Sequence, residues 1–127
     1  MPTVVQRVEN AAIAAAVLVG AIALGWPWWV LLAAFLLWDA SAAGYAAGPR
    51  HGAFWYNLVH NYTGPAVLAL GWAVGRLLGA DLWILGLIAA SWAFHVGVDR
   101  ALGYGLKLAS FTETHLGPIG RARRGRD

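Results

Sequence analysis

The amino-acid sequence predicts an all-α membrane protein, a bundle of four transmembrane helices with both termini in the cytoplasm. Three observations support this prediction. The chain of 127 residues is 60% hydrophobic and only 12% charged, whereas soluble domains carry about 25% charged residues. Its apolar stretches are long enough to cross a hydrocarbon core of about 30 Å. Its basic residues concentrate on one side of such a bundle. The length fits a single transmembrane domain over residues 1–127.

The first two helices are predicted from one long apolar run. Residues 11–38 carry no charge and would extend about 42 Å as one helix, more than a membrane needs. Gly25 and Pro27 interrupt this run, because glycine favours the end of a helix and proline suits the first turn of the next. We therefore predict a hairpin of helices near residues 7–25 and 27–46. A single kinked span is the alternative.

Two further helices are predicted near residues 53–76 and 81–105, followed by a polar tail at 107–127. Pro65 lies inside the third helix, where it removes a backbone hydrogen bond. The sequence thus predicts a kink about one turn beyond His60.

Basic residues set the predicted orientation. On the outer side of the bundle the basic residue is Arg76. The other side would carry Arg7, Arg50, Lys107, Arg121, Arg123, Arg124 and Arg126. The positive-inside rule then places both termini and the middle loop in the cytoplasm. The expected location is the cytoplasmic membrane, which the chain would cross several times.

Composition excludes several other interpretations. The chain has no cysteine, which excludes disulfides and thiolate metal sites. Arg7 is offset by Glu9, so the start lacks the positive region of a signal peptide, and we expect the first apolar segment to be retained. No nucleic-acid-binding motif accompanies the arginines of the tail. We therefore expect membrane lipids, not nucleic acid, as partners.

Five ionisable residues are predicted to meet near the cytoplasmic face. A rise of 1.5 Å per residue places His60 and His95 about 9–10 Å from that side, with Asp39 at about 13 Å and Asp99 at about 3 Å. His115 could fold back from the tail to the same level. Ionisable groups inside a membrane are costly and face the interior of a bundle, so their convergence predicts a functional site.

Histidines and carboxylates without cysteine are typical of zinc, iron or manganese ligation. We predict zinc, held by His60, His95, His115 and Asp99, with Asp39 and Asp99 as the catalytic carboxylates. Two alternatives remain open. The same groups could hydrogen-bond across helices without an ion, or His60 and His95 could ligate a haem or another pigment.

Two pairs of motifs and one further motif resemble those of a known family. They are GYAAGPR at residues 44–50 with YNLVH at 56–60, HVGVDR at 95–100 with GYGLK at 103–107, and THLGPIG at 114–120. Over about residues 7–120 the chain resembles the bacterial domain-of-unknown-function 4260 family. The resemblance implies a small integral membrane protein and implies no particular activity.

A second resemblance concerns the ligand set. His60, His95 and His115 with Asp39 or Asp99 are similar to the zinc ligands of membrane hydrolases of the ceramidase and adiponectin-receptor type. In those enzymes three histidines and an acidic group hold zinc near one face of the membrane. This resemblance implies a hydrolytic zinc site, and shared ligand chemistry does not require shared ancestry.

The sequence therefore predicts an integral membrane protein with a His/Asp site, acting as a divalent-metal-dependent hydrolase on a lipid or amphipathic substrate. Asn57, Arg50 and Lys107 are predicted to bind the substrate. The alternative functions are a non-catalytic accessory or scaffold subunit of a larger membrane complex and a haem- or pigment-binding protein. Stripes of small residues, such as Ala93, Gly97, Ala101 and Gly105, predict close packing of helices within the bundle, and contacts in a homo-oligomer are the alternative.

Overall fold

The computed structural model describes residues 1–108 and 110–120 and is mostly helical, which confirms the predicted helical class. A two-stranded antiparallel hairpin follows the last helix. The elements in chain order are α1 (Pro2–Ala23), α2 (Trp29–Ala33), a 3₁₀ helix (Phe35–Ala47), α3 (Pro49–Val59), α4 (Thr63–Leu77), α5 (Trp83–Leu102), β1 (Glu113–Thr114) and β2 (Gly117–Pro118).

Two segments of the described chain have the length and apolar composition to cross a membrane. They are Pro2–Ala23 and Trp29–Ala47, and few of their residues are buried inside the protein. The break predicted between them is present, with α1 ending at Ala23 and α2 beginning at Trp29. Gly25 adopts a positive φ of 70°, and the Trp26 amide bonds back to the Ala21 carbonyl at 3.0 Å. Glycine tolerates this left-handed conformation without steric cost, which is why the chain reverses there.

The second predicted helix, 27–46, is not one α-helix. After the short α2 it continues as a 3₁₀ helix of 13 residues, although such helices rarely exceed four. Three residues per turn place every third side chain on one face. The exposed face consists of Leu37, Ala40, Ala43 and Ala46. Asp39 lies on a different face of this helix, together with Ala42 and Tyr45.

The prediction of one helix over residues 53–76 is wrong. The chain breaks between α3 and α4 because Asn61 satisfies both helix ends. Its Nδ2 donates to the carbonyls of Asn57 and Leu58 at 2.8 and 2.9 Å, and its Oδ1 accepts from the Thr63 amide at 2.8 Å. Pro65 lies in the first turn of α4, where a helix needs no amide donor. The proline therefore fits the start of a helix and kinks none.

Helix α5 is the central element and packs against α1, α2, α4 and the 3₁₀ helix. The core around it contains Ala14, Ala21, Leu31, Leu87 and Phe94. The approach of α1 is close at Gly97, where a Cβ atom would come within 3.0 Å of the Asn10 carbonyl oxygen. Small residues allow such close packing of helix backbones. His95 and Val96 on the same helix are completely buried.

The last predicted helix, 81–105, ends slightly earlier than expected. Gly103 adopts a left-handed φ of 99° directly after α5, which is a common way to end a helix. The chain then folds back, and Lys107 forms a bridge with Thr114 of β1. The arginines of the predicted tail, at residues 121–127, lie outside the described residues.

Candidate metal centre

Four of the predicted site residues meet at one point of the structure. Asp39 comes from the 3₁₀ helix and His60 directly follows α3, whereas His95 and Asp99 lie one turn apart on α5. Each offers one ligand atom, and these four atoms all lie within 4.8 Å of one another. A helix places residues i and i+4 on the same face, so α5 alone aligns two of the four groups. This group could hold a metal ion.

The spacing of the ligand atoms is close to that of a tetrahedron. The two Nε2 atoms of His60 and His95 are 2.9 Å apart. Asp39 Oδ1 lies 3.4 and 3.7 Å from them, and Asp99 Oδ2 lies 3.5 and 3.6 Å from them. Bonds of about 2.0–2.2 Å to a tetrahedral zinc require ligand atoms about 3.3–3.6 Å apart. The four distances between a histidine and a carboxylate lie in or next to that range, whereas the two histidine nitrogens are closer together and the two carboxylate oxygens lie within 4.8 Å of each other.

Contacts of the His60 ring hold this side chain with its Nε2 directed at the cluster. Nδ1 lies 2.9 Å from the Tyr56 carbonyl oxygen and 3.5 Å from Ser41 Oγ. Because a carbonyl can only accept, Nδ1 carries the proton, and the lone pair lies on Nε2, which is within hydrogen-bond distance of His95 Nε2. The Tyr56 ring stacks on the imidazole at 3.6 Å, with only 8° between the planes. A hydrogen bond from the second nitrogen is the usual support of a histidine ligand.

His95 is held by packing. Its side chain is fully buried, and the Phe35 ring lies against it with the ring centres 4.6 Å apart. Among the described residues its Nδ1 has no partner within hydrogen-bond geometry, although the backbone of Phe35 faces it. The imidazole therefore has little freedom to rotate away from the cluster.

The two carboxylates differ in their contact with solvent. The Asp99 side chain is 12% exposed and its Oδ2 accepts a hydrogen bond from the Tyr56 hydroxyl at 3.3 Å. The Asp39 side chain is 41% exposed. Two carboxylates so close to each other repel unless a cation lies between them. The more exposed Asp39 marks the side of the cluster that opens outward.

That open side leads into a cavity of about 290 Å³. Its walls are formed by Asp39, Ala42, Tyr56, Asp99, Tyr104, Lys107 and Phe111. Both carboxylates of the cluster therefore border a space that a small ligand can enter.

A family model, described as Domain of unknown function (DUF4260), matches residues 3–119. The chain belongs to this family. The match covers nearly the whole chain and confirms the resemblance found from the sequence motifs. Neither a curated protein nor a solved structure matches the chain significantly. Family membership therefore supplies no activity, and an argument about function must start from the site.

His115, predicted as a third histidine ligand, does not join the cluster in this family member. Its Nδ1 accepts a hydrogen bond from the Leu106 amide at 2.8 Å, and its ring lies against Gly105. Partial burial lowers the pKa of His115, and the positive charge of Arg100 lowers it further. The prediction is wrong because the rise per residue of a helix gives a membrane depth only for helical residues, and His115 lies in the turn between β1 and β2.

The three predicted substrate-binding residues have different surroundings. Asn57 donates to the Lys107 carbonyl at 2.8 Å and accepts from the Lys107 amide at 2.6 Å. Both ends of its amide are therefore engaged, and Asn57 positions the backbone of Lys107. Arg50 is exposed in the first turn of α3 and does not line the cavity. Lys107 is buried and does line it.

Sequence reasoning missed several residues that support the site. Arg100 donates to the His60 carbonyl at 3.3 Å and stacks its guanidinium over the Tyr62 ring. Tyr104 and Phe111 complete the cavity wall. Tyr56 has one detectable signal, because it precedes His60 by four residues on a helix and must share its face. Arg100 and Tyr104 lie in the motifs HVGVDR and GYGLK, which do not indicate what these side chains contact, and no pattern marks Phe111.

Proposed function

We propose that this protein is a divalent-metal-dependent hydrolase. One observation carries the proposal: two histidines and two carboxylates bring four ligand atoms within 4.8 Å of one another, and both carboxylates border a cavity. A cluster that only joins helices would have no need of a cavity on its open side. An ion bound there would act as a Lewis acid and would lower the pKa of a water molecule that it coordinates.

Zinc is the ion that the proposal favours. Imidazole nitrogens suit zinc and iron, while magnesium and calcium prefer sites made of oxygen alone. The cluster offers two imidazoles and two carboxylates, and its dimensions fit the short bonds of a tetrahedral ion. Its histidine nitrogens would bind in the neutral form, which the Tyr56 carbonyl already favours for His60.

The residues of the cluster take different roles in this proposal. All four residues would hold the ion, and His60, His95 and Asp99 among them are buried. Asp39 lies on the open side, where a substrate and a water molecule would enter. The Asp39 oxygen that does not bind the ion would therefore be placed to accept the proton of an attacking water, which would join the ion as a fifth ligand.

The setting of the enzyme is proposed to be the cytoplasmic membrane. Large apolar side chains are exposed on every helix, including Leu36 at 75% and Leu77 at 85%. Soluble proteins rarely expose apolar surface on all sides, whereas a surrounding bilayer would cover it. The proposed topology has several spans and cytoplasmic termini. The proposed substrate is a lipid or another amphiphile that enters from the inner leaflet.

Haem ligation is disfavoured by the geometry of the cluster. Two axial histidines must be separated by the iron and its flat macrocycle. The Nε2 atoms of His60 and His95 are only 2.9 Å apart, and two carboxylates occupy the same space. No slot for a porphyrin exists between them. We therefore expect a colourless protein.

The first prediction concerns metal content. Protein purified without chelators should contain about one zinc ion per chain, measured by mass spectrometry of the metal. His95→Ala should lose most of the ion because it removes a ligand. His115→Ala should retain it, since His115 lies outside the cluster. His51→Ala, an exposed histidine of α3, is the control.

Hydrolysis is tested on the same samples with a panel of amphipathic esters and amides. Asp39→Asn should lose activity more than it loses zinc. A wild-type protein without stoichiometric metal would contradict the proposal. So would equal loss of zinc from His115→Ala and His95→Ala.

A further inference from the structure

The cavity beside the cluster contains a buried ammonium group. Lys107 is 2% exposed, and among the described residues its Nζ has no hydrogen-bond or ion-pair partner. Two aromatic rings flank it, Tyr56 with its centre at 4.6 Å and Phe111 at 4.2 Å. Such cation–π contacts stabilise an ammonium by about 0.5–2 kcal/mol, less than the cost of burying an unpaired charge. Within the part of the chain that the structure describes, the ammonium of Lys107 therefore lacks a negatively charged partner that would offset the cost of its burial.

The backbone of Lys107 is held in place. Asn57 accepts from its amide and donates to its carbonyl oxygen, and Thr114 of β1 pairs with it on the other side. Burial lowers the pKa of Lys107, while the charges of Asp99 and Asp39 oppose that effect. These contacts fix the backbone of Lys107 at the edge of the cavity, so its position is part of the structure of the site.

A charge count shows what is missing. A divalent ion on the cluster would neutralise the two carboxylates, Asp39 and Asp99, because both bind it directly. The ammonium of Lys107 would then leave the cavity with a net charge of about +1. Fields inside a site of low dielectric are strong, so a cavity with this charge favours an anionic ligand.

We propose that this cavity binds the phosphate group of a phosphate ester, with its oxygens shared between Lys107 and the metal centre. The inference rests on the proposed function and adds its substrate class. Lysine is a common phosphate ligand, and a phosphate has enough oxygens to reach an ammonium and an ion together. The cavity, at about 290 Å³, accommodates such a group and a few further atoms. A lipid headgroup and a free phosphate ester share this chemistry.

The test uses the full-length, zinc-loaded protein in detergent and inorganic phosphate as the probe, with calorimetry as the measurement. Wild type should bind one phosphate. Lys107→Met should weaken binding about 10–100-fold, the value of one charge-assisted hydrogen bond, without losing zinc. Lys107→Arg should restore most of the affinity because it restores the charge. Arg50→Met, which removes an exposed cation outside the cavity, is the matched control and should bind normally.

A second arm distinguishes the sources of the phosphate. Nanodiscs with phosphatidic acid are compared with nanodiscs of phosphatidylcholine alone. Binding of phosphatidic acid that depends on Lys107, with no binding of inorganic phosphate, assigns the ligand to a lipid headgroup. Binding of inorganic phosphate that depends on Lys107 assigns it to soluble esters as well. Both outcomes support the proposal.

Two results would overturn it. One is zinc-loaded wild type that binds neither probe, an outcome that requires no variant to fold. The other is Lys107→Met that binds phosphate as tightly as wild type. Failure of the proposed function is a separate observation, because it is measured as absence of the metal and not as absence of the anion.

Discussion

Tyr56 is the residue that links the parts of the site most directly. Its ring stacks on His60, its hydroxyl donates to Asp99, and its other face meets the ammonium of Lys107. Its carbonyl also accepts from His60 Nδ1. One side chain and its backbone thus touch two proposed ligands and the proposed anion site. Changes at this position should separate the effect of the hydroxyl from that of the ring.

Tyr56→Phe keeps the ring and removes the hydroxyl. We expect zinc affinity to fall about 10-fold, near the low end of the effect of groups that orient a ligand, because Asp99 loses its donor. Competition with a fluorescent chelator measures the change. Tyr45→Phe is the control, since the Tyr45 hydroxyl has no partner among the described residues. Equal zinc affinity in Tyr56→Phe and wild type would contradict the assignment of Asp99 as a ligand.

The sequence predicted four members of the cluster because helix geometry fixes relative depth. His95 and Asp99 follow from a spacing of four residues, and Asp39 and His60 follow from counting residues into adjacent spans. His115 could not be placed in this way. It belongs to a segment held by hydrogen bonds between distant residues, and such contacts leave no periodic pattern. Phe111 was missed for the same reason.

At the scale of elements, the 3₁₀ helix depends on the site. A 3₁₀ helix advances 120° per residue and an α-helix 100°, so a change between them would rotate Asp39 away from the cluster. The hydrogen bonds of a 3₁₀ helix are also poorer than those of an α-helix. Contact of Asp39 with an ion would therefore hold the segment Phe35–Ala47 in its present form.

Removal of the metal should loosen this helix. We expect amide hydrogen exchange in Phe35–Ala47 to accelerate roughly 10-fold or more when zinc is removed, because binding stabilises the closed form. Mass spectrometry of peptides from protein with and without zinc measures it. Helix α4, which supplies no proposed ligand, is the internal control. Exchange that is the same in both samples would show that Asp39 does not bind the ion.

The boundaries of elements were predicted less well than their existence. The break at Gly25 and Pro27 was predicted correctly because both residues have strong local preferences. The break after His60 was missed because Pro65 was interpreted as a kink. Asn61 decides the outcome, since its amide serves two helix ends at once. Local propensity gives no such information about which partners a side chain will find.

For the whole molecule, the proposed membrane setting and the proposed chemistry support each other. The exposed apolar helices would place the cavity where an amphiphile can present its polar group to Lys107. The predicted homo-oligomer and the predicted role in a larger complex stay predictions. Small residues recur every fourth position on α5, at Ala93, Gly97 and Ala101, and Gly97 packs closely against α1, so packing within one chain accounts for that contact.

The central claim is that Asp39, His60, His95 and Asp99 surround one ion. X-ray absorption at the zinc edge of the purified protein tests it most directly. The account predicts two imidazole nitrogens and two carboxylate oxygens at about 2.0–2.2 Å, with one imidazole lost in His60→Ala. A shell of six oxygens, or an imidazole count unchanged by that substitution, would contradict it.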